Sequence, residues 1–313
     1  MRLKTSALGQ LFPPRARFDT EQMPDLTGRV TIVTGIERKP NAPCAKALLE
    51  HNAIVYMATR NKRKAEEAIA ELNERTGRLA IYLELDLSSL SSVKRAAEEF
   101  MSKEKKLHIL FNNAGVMWSP REMLTAEGYD MQFGTNVLGH FYLTALLMPA
   151  LLAGRDSSPD GYVRVITTSS SAAYRYTLNW DSFKAGAARR KMSPRTLYCQ
   201  SKFADVVFAR QLAKRYGEKG IVSISCNPGY IDTELFRHAS RFMQRLTNLI
   251  AHPASKGALT QLWAGTMPET VQYNGEFLIP WARVGRCRRE AYDNALGERL
   301  WAWLEEQVEG RRG

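Results

Sequence analysis

The stretch Val30-Thr31-Ile32-Val33-Thr34, followed by Gly35, decides the fold of this chain. Five β-branched residues in a row are typical of a strand that is buried on both faces of a sheet. A glycine directly behind the strand permits a tight turn, and the segment from Pro43 to Asn52 reads as a helix. The folded part of the chain therefore opens with a strand, a turn and a helix.

The same alternation of β-branched runs and amphipathic stretches continues along the chain. The predicted strands are Val30–Thr34, Ala53–Ala58, Leu79–Glu84, Leu107–Phe111, Tyr162–Thr168, Ile221–Cys226 and Glu276–Ile279. The predicted helices are Pro43–Asn52, Lys62–Thr76, Leu90–Lys105, Thr125–Ala153 and Pro194–Lys219. Strands that alternate with helices are joined by right-handed crossovers. We therefore predict one α/β domain of the doubly wound Rossmann type, with about seven parallel strands and helices on both faces.

Composition limits the domain count and the partners. The 313 residues are 44% hydrophobic, which is enough for a sizeable core, and carry a formal net charge of +12. We predict an N-terminal arm over residues 1–26 and a single domain over residues 27–313, because no linker or internal repeat divides the rest. The basic excess favours an anionic partner, such as nucleic acid, a membrane surface or a phosphate-rich cofactor. Since no nucleic-acid motif is present, we expect no nucleic-acid partner.

The positive charge is spread over several short clusters. These lie at Arg60–Lys64, Lys103–Lys106, Arg189–Arg195 and Arg283–Arg289. Charged side chains are mostly exposed in folded proteins, so each cluster is predicted to be a solvated face.

Cysteine usage and apolar patterning bear on the compartment. The four cysteines contain no C-x-x-C pair and the histidines show no ligand spacing, so we expect neither a metal site nor a disulfide framework. This pattern fits a reducing compartment. The first 26 residues lack the apolar core of a secretory signal, and no apolar run approaches the roughly 18 residues of a membrane span. We predict a cytoplasmic protein, with peripheral contact to an intracellular membrane left open.

Ligands of such a sheet bind outside the carboxyl ends of the strands, which nominates the residues just after each strand. Thr34 and Gly35 begin the turn where a dinucleotide pyrophosphate usually lies, and Arg38 and Lys39 offer positive charge there. Arg60 follows the second strand, where an arginine suits the 2′-phosphate of NADPH and an acidic residue would suit NADH. The alternative for Arg60 is an ordinary arginine at a helix N-terminus.

Polar or small residues also follow the other strands. Asp86, after the third strand, suits an adenine amino group or the cap of the next helix. The turn Asn112-Asn113-Ala114-Gly115-Val116 is small enough for close approach of a flat ring and a ribose, or is an ordinary turn. The run Thr167-Thr168-Ser169-Ser170-Ser171 brings hydroxyls to the mouth of the sheet. In the loop from Asn227 through Pro228 and Gly229 to Thr233, backbone groups and a hydroxyl suit a carboxamide.

The stretch Tyr198-Cys199-Gln200-Ser201-Lys202 places a phenol and an ammonium group four residues apart in a predicted helix, and therefore on one face. The pKa of a phenol is about 10 in water, and a nearby ammonium group lowers it. The pair indicates a general acid/base. The alternative is an ordinary helix that carries a tyrosine and a lysine.

Together these residues resemble the short-chain dehydrogenase/reductase family over about residues 26 to 308. The matching pieces are Thr34-Gly35, Asp86, Asn112-Asn113-Ala114-Gly115, Asn136 within Gly134-Thr135-Asn136-Val137-Leu138-Gly139, Ser170, Tyr198-x-x-Ser201-Lys202, and Asn227-Pro228-Gly229 followed by Thr233. The long segment between Ser170 and Tyr198 and the C-terminal pieces Tyr273–Phe277 and Leu300-Trp301 are similar to the retinol-dehydrogenase and WW-domain-oxidoreductase branch, particularly its stand-alone fungal members.

The resemblance implies an enzyme that interconverts an alcohol and a ketone or aldehyde, with NADP(H) preferred over NAD(H). It implies that Tyr198 exchanges a proton with the substrate oxygen, that Lys202 lowers the pKa of the tyrosine and holds the nicotinamide ribose, and that Ser170, with its two neighbouring serines as alternates, hydrogen-bonds the substrate oxygen. Asn136 is expected to position a water that links the lysine to solvent. The implied cofactor contacts are Thr34, Gly35, Arg38, Lys39, Arg60, Asp86, Asn113, Ala114, Gly115, Asn136, Tyr198, Lys202, Pro228, Gly229 and Thr233.

One segment departs from the family pattern T-G-x-x-x-G-x-G. It reads Thr34-Gly35-Ile36-Glu37-Arg38-Lys39-Pro40-Asn41, so the second and third glycines are Lys39 and Asn41. Residues other than glycine at such backbone positions cost about 1–3 kcal/mol each. The alternative function is therefore a non-catalytic or weakly active binding or regulatory protein on the same fold, with impaired cofactor binding.

The substrate is expected to meet residues 229–256. The stretch from Glu234 to Ala251 carries Phe and Met side chains at helical spacing. This suits an apolar alcohol or ketone, such as a terpenoid, a steroid-like or a retinoid-like molecule of secondary metabolism. A lid on the core and a surface helix at anionic lipid are the alternatives. The resemblance also implies a homodimer formed through the helices of Asn136 and Tyr198.

Overall fold

Eight strands form one sheet in this computed structural model, which describes residues 9–10, 13–35, 43–231 and 252–311. The strands are β1 (Val30–Thr34), β2 (Ile54–Thr59), β3 (Ile81–Glu84), β4 (Ile109–Asn112), β5 (Val163–Thr168), β6 (Ile221–Cys226), β7 (Phe277–Ile279) and β8 (Arg283–Gly285). Their order in the sheet is β3-β2-β1-β4-β5-β6-β7-β8. Strands β1 to β7 are parallel, which confirms the predicted Rossmann-type domain.

The eighth strand was not expected from the sequence. It runs antiparallel to β7, with Leu278 opposite Val284. Its three residues, Arg-Val-Gly, carry neither an apolar run nor a usable alternation. The strand order reverses between β1 and β4, which are direct neighbours with Ile32 opposite Leu110. A crevice outside the carboxyl ends of these two strands is where ligands of doubly wound sheets bind.

Helices cover both faces of the sheet. They are α1 (Pro43–Glu50), α2 (Lys62–Thr76), α3 (Leu90–Lys103), α4 (Met131–Leu146), α5 (Met148–Arg155), α6 (Ala187–Lys191), α7 (Pro194–Tyr216), α8 (Ala254–Thr266) and α9 (Asn294–Val308). Short 3₁₀ turns lie at Thr20–Gln22, Ser171–Tyr174, Trp180–Ser182, Gly217–Lys219, Pro268–Tyr273 and Arg289–Tyr292. Alternate residues of β1 point to opposite faces. Ile32 joins an apolar cluster with α3, α4, α7 and α9, and Val33 joins a second cluster with α1, α2 and α8.

The single long helix predicted from Thr125 to Ala153 is wrong. The carboxylate of Asp130 accepts from the N–H groups of the first turn and starts α4 at Met131. Residues Gly134–Leu138 form a π-helical turn, and α4 ends before α5 with a bend of 57°. Pro149 stands in the first turn of α5, where its missing N–H removes no bond. No single helix in the described ranges is long and apolar enough to cross a membrane, and α4 with α5 reaches that length and composition only as a bent pair.

Helix α9 packs across α4 and α7. The ring of Trp301 meets Phe141 of α4 edge-on at 5.2 Å and stacks on Phe208 of α7 at 6.2 Å. Trp303 meets Phe133 edge-on at 5.6 Å. Helices α4 and α7, which the resemblance assigns to a dimer contact, are therefore covered on this face by α9 of the same chain.

Two other expectations concern charge and the N-terminal arm. Arg189 belongs to a cluster that was predicted to be solvated, but it is buried and pairs with Asp130 at 2.9 Å. Its guanidinium group also donates to two carbonyl oxygens of the 121–123 turn, and these bonds compensate for the burial of the charge. In the arm, Phe18 and Met23 are buried against the α1 side of the sheet. The side chain of Gln10 bonds to Tyr174 and to Asn227.

Candidate active site

A cavity opens at the carboxyl ends of β1, β4, β5 and β6. The predicted site residues that line it are Gly35, Asn113, Ala114, Gly115, Ser170, Tyr198, Lys202, Pro228 and Gly229. Thr34 and Asn136 are fully buried behind its wall. The sequence alone nominated these residues from separate strand ends, and the parallel sheet brings them to one place.

Tyr198 and Lys202 lie one turn apart on α7. Ser193 caps this helix by accepting from the N–H of Thr196, and Pro194 follows as its first residue. Tyr198 is 7% exposed. Burial raises the pKa of Tyr198, while the charge of Lys202 and a hydrogen bond with Ser170 act to lower it. The lysine acts in the expected direction, but burial has the larger effect on the phenol.

The ammonium group of Lys202 has two partners inside the protein. It donates to the carbonyl oxygen of Thr168 at 2.8 Å and to Oδ2 of Asp205 at 2.9 Å. Asp205 is 1% exposed. Burial acts to lower the pKa of Lys202, but the charge of Asp205, followed by that of Tyr198, outweighs it and the pKa is raised. The lysine therefore stays charged at neutral pH.

Sequence reasoning missed Asp205. Its position three residues after Lys202 in a helix was the available signal, since such pairs face each other. Burial raises the pKa of Asp205 to about 7, against the opposing charge of Lys202. Its second carboxylate oxygen, Oδ1, is buried and has no hydrogen-bond partner within the described part of the chain. Asp205 therefore contacts Lys202 of the predicted proton-transfer pair, with a pKa that burial raises above the usual range of a carboxyl group.

The three consecutive serines have different contacts. The hydroxyl of Ser169 donates to the carbonyl oxygen of Lys202 at 2.6 Å and is buried. The hydroxyl of Ser170 is close enough to the phenol of Tyr198 to lower its pKa, and it accepts from the N–H of Ala172 at 3.2 Å. Ser171 begins a 3₁₀ turn at the cavity wall. Among the three, Ser170 is the hydroxyl that acts on the pKa of the tyrosine.

Asn136 lies in the π-helical turn of α4 and joins two parts of the site. Its side-chain amide donates to the carbonyl oxygen of Val116 at 3.1 Å and to the hydroxyl of Ser201 at 2.9 Å. Its Oδ1 accepts from the N–H of Val116 at 2.9 Å. A π-turn is a frequent device at functional sites because it re-aims side chains. Asn136 thus fixes the 113–116 turn against α7.

His140 is a second residue that sequence reasoning missed. It is buried, and burial lowers its pKa to about 3, so the ring is neutral at physiological pH. Nδ1 lies 3.0 Å from the carbonyl oxygen of Asn136 and therefore carries the proton. Nε2 is then the acceptor for the hydroxyl of Thr34 at 3.0 Å. His140 links the end of β1 to the π-turn.

The ends of β1 and β4 approach each other closely. The hydroxyl of Thr34 accepts from the N–H groups of Asn113 and Ala114 at 3.0 and 2.9 Å. Gly35 has φ +80°, and a Cβ there would lie 2.7 Å from the Cα of Ala114. A Cβ on Gly115 would lie 3.6 Å from Nζ of Lys202. Gly35 therefore permits the close approach of β1 to the turn after β4, and Gly115 lies beside the ammonium group of Lys202.

Two further predicted cofactor residues, Arg60 and Asp86, lie outside the cavity wall. Arg60 is exposed at the end of β2. Asp86, just past β3, accepts from the N–H and hydroxyl of Ser88, both on Oδ1. Arg38, Lys39 and Thr233, and the predicted apolar stretch 234–251, fall outside the described residues.

Comparison with known proteins agrees with this geometry. The family model described as short chain dehydrogenase matches residues 29–244. A short-chain dehydrogenase/reductase of Armillaria gallica is 55% identical over 302 residues, 96% of this chain and 97% of that protein. Human retinol dehydrogenase 12 is 34% identical over 279 residues, 88% of this chain and 85% of that protein.

A solved structure shares the fold. It is the crystal structure of an uncharacterized protein from Mycobacterium paratuberculosis, with a TM-score of 0.71 and 29% identity over 93% of this chain and 97% of that one. The resemblance inferred from the motifs is confirmed. The chain belongs to the short-chain dehydrogenase/reductase family, whose members are oxidoreductases acting on CH–OH groups with NAD or NADP as acceptor.

Proposed function

We propose that this protein is an NADP(H)-dependent oxidoreductase that interconverts a primary or secondary alcohol and an aldehyde or ketone on a largely apolar small molecule. The observation that carries the proposal is that Ser170, Tyr198 and Lys202 line one cavity, with Lys202 and Ser170 both close enough to the phenol to lower its pKa. The small residues Asn113 to Gly115 form the adjoining wall. The proton donor therefore adjoins a wall of small residues that suits the flat nicotinamide ring.

Each of these side chains has a role that its contacts support. Tyr198 donates its phenolic proton to the substrate oxygen during reduction and takes it back during oxidation. Ser170, whose hydroxyl is close enough to the phenol to lower its pKa, is placed to donate to the same oxygen and stabilise its charge. Lys202, charged and buried, favours the phenolate while the proton is away. Asn136 positions the turn at Val116 against α7.

The cofactor would be held along the ends of β1, β2 and β4. Gly35, Asn113, Ala114 and Gly115, with Lys202, fit the nicotinamide half. Asp86 suits the adenine, and Arg60 the 2′-phosphate of NADP(H). Pro228 and Gly229 line the cavity on the β6 side. When bound, the cofactor exchanges a hydride with the substrate carbon.

Cofactor titration tests the proposal. The protein is titrated with NADPH and with NADH, with nucleotide fluorescence and thermal shift as readouts. We expect tighter binding of NADPH, and we expect Arg60→Gln to reduce that preference about tenfold, because a guanidinium–phosphate contact is lost. Arg63→Gln is the matched control. Arg63 is the second residue of α2, is exposed, and forms an ion pair with Glu67 on the same helix.

The outcomes separate the two candidate functions. Tighter binding of NADH would remove the argument from Arg60 and leave the oxidoreductase standing. If neither nucleotide binds at millimolar concentration, the non-catalytic binding protein is the better description. The sequence feature behind that alternative is the pair Lys39 and Asn41, which stand where the family pattern has glycines.

A further inference from the structure

The described lining of the cavity contains positively charged side chains but no carboxylate. It contains Arg175, Arg195 and Lys202, and no aspartate or glutamate. Lys202 is balanced by Asp205 at 2.9 Å, directly behind the wall. The two arginines therefore carry the remaining positive charge of this wall.

Both arginines line the same cavity as the reactive tyrosine. Cys199, the residue after Tyr198, has a pKa raised by burial, and the charges of Arg175 and Arg195 both act to lower it. Both guanidinium groups are therefore near Cys199, and all three residues line the cavity. These residues follow β5 or begin α7, and are separate from the ends of β1 and β2 that suit the cofactor phosphates.

Neither guanidinium group has an ion pair or hydrogen bond within the described part of the chain, and the backbone N–H of Arg175 donates to the carbonyl oxygen of Ala172. Other partly or fully exposed arginines have ion pairs: Arg155 pairs with Asp156, Arg215 with Glu298 and Arg288 with Glu290. Arg195 also stands in the first turn of α7, where the helix dipole disfavours a cation. Two unpaired cations at one mouth repel each other, and a bound anion would relieve both effects.

The lining of the cavity also contains large apolar and aromatic side chains. Met117, Trp118, Tyr230 and Ile231 contribute to it. An occupant that satisfies both features has an apolar body and one anionic group. The planar guanidinium fork matches the two oxygens of a carboxylate and the oxygens of a phosphate alike.

We propose that the substrate of this protein carries an oxyanion, such as a carboxylate, which Arg175 and Arg195 bind at the mouth of the cavity while the reacting carbon–oxygen group meets Tyr198. This inference rests on the proposed oxidoreductase function and narrows its substrate class. The arginines are specificity residues, and the proton transfer stays with the tyrosine.

A pair of aldehydes with the same reacting group tests it. The protein and NADPH are supplied with 4-formylbenzoate or with its methyl ester, and NADPH consumption is followed. We expect kcat/KM to be about tenfold or more higher for the acid, mainly through KM, and to converge for the two substrates in the Arg175→Gln/Arg195→Gln double variant. Arg190→Gln, an exposed arginine of α6 outside the lining, is the matched control and leaves the preference unchanged. The preference should also weaken between 50 and 500 mM NaCl, because exposed ion pairs are screened.

A binding measurement separates this inference from the proposed function. The NADP-loaded protein is titrated with 2-naphthoate and with 2-naphthamide, which differ only in charge at one group, and thermal shift and fluorescence are recorded. We expect the carboxylate to bind about tenfold more tightly and to lose that advantage in the double variant. Equal binding of the two, or an advantage that survives the double substitution, overturns the inference even if both aldehydes are reduced. Selective naphthoate binding without turnover of either aldehyde supports the anion site and counts against the proposed reaction.

Discussion

The two ends of the candidate site are built in different ways. At the reaction end, Tyr198, Lys202 and Asn136 are each less than a tenth exposed and bonded to other protein groups. At the end proposed for the adenosine of the cofactor, Arg60 is exposed and Asp86 is part of a local turn. The first end is assembled by the fold itself, whereas the second presents side chains toward solvent at the ends of β2 and β3.

This difference predicts which kinetic constant each end controls. Groups that are held in place before the substrate arrives act on the transition state, so substitutions there should lower kcat. Groups that meet the cofactor from an exposed position contribute binding energy, so substitutions there should weaken cofactor affinity and leave kcat nearly intact. Three variants test this contrast.

The largest effect is expected from Tyr198→Phe. Removing the phenolic hydroxyl removes the proton donor, and general acid/base groups contribute about 10²- to 10⁴-fold to rate. We expect turnover of the formylbenzoate pair to fall within that range while the NADPH dissociation constant stays nearly unchanged. Tyr216→Phe, near the last turn of the same helix, is the control. Turnover that persists in Tyr198→Phe would show that another group transfers the proton.

An intermediate effect is expected from Gly35→Ala. Gly35 and Gly28 both have positive φ, +80° and +77°, so alanine is strained at either position. Only at Gly35 does the new Cβ meet backbone, 2.7 Å from the Cα of Ala114, while at Gly28 nothing lies within 4 Å. We expect Gly35→Ala to weaken NADPH binding about ten- to a hundredfold by displacing the β4 turn, and Gly28→Ala to leave it unchanged. Equal losses in the two variants would mean that backbone strain alone is responsible.

The smallest expected effect is a shift in a pH profile, from Asp205→Asn. The carboxylate acts to raise the pKa of Tyr198, so its removal should move the ionisation of the tyrosine to lower pH. Because the pKa of Asp205 itself is raised to about 7, the unmodified protein should show an inflection of kcat/KM near pH 7 that the variant lacks. Other titratable groups near the pair are Cys199, Cys226 and the neutral His140, and burial keeps the two thiols protonated in this range.

Asp156→Asn, an exposed carboxylate at the end of α5, is the control for this measurement and should leave the profile unchanged. The pH profile is the informative readout, since a loss of stability alone would lower activity without moving the inflection. An identical inflection in Asp205→Asn would show that Asp205 does not govern it.

Local signals in the sequence predicted much of the fold. Strands β1 and β6 and helix α2 have the predicted bounds, because β-branched runs and a regular apolar stripe identify buried strands and amphipathic helices. The prediction of a single helix from Thr125 to Ala153 was wrong for a local reason. The cap at Asp130 and the break before α5 interrupt a continuous apolar pattern. Strand β8 was not predicted because its pairing with β7 is set by the sheet rather than by its own residues.

The candidate site divides in the same way. Residues with a family pattern or a strand-end position, such as Ser170 and Tyr198, were nominated in advance. Asp205, His140 and the arginine pair were not, because their significance lies in what they touch. A helical spacing of three or four residues hints at a contact, but only packing determines whether a carboxylate is buried against a lysine or lies in solvent.

The sequence by itself determined the doubly wound sheet, the family and the Tyr198–Lys202 pair, because periodicity and short motifs are properties of neighbouring residues. Only the tertiary structure decided that Asp205 holds Lys202, that Ser170 rather than Ser169 acts on the pKa of the phenol, and that Arg175 and Arg195 line the same cavity. Burial and charge act through space, and residues far apart in the chain become electrostatic neighbours only when the strands and helices are packed.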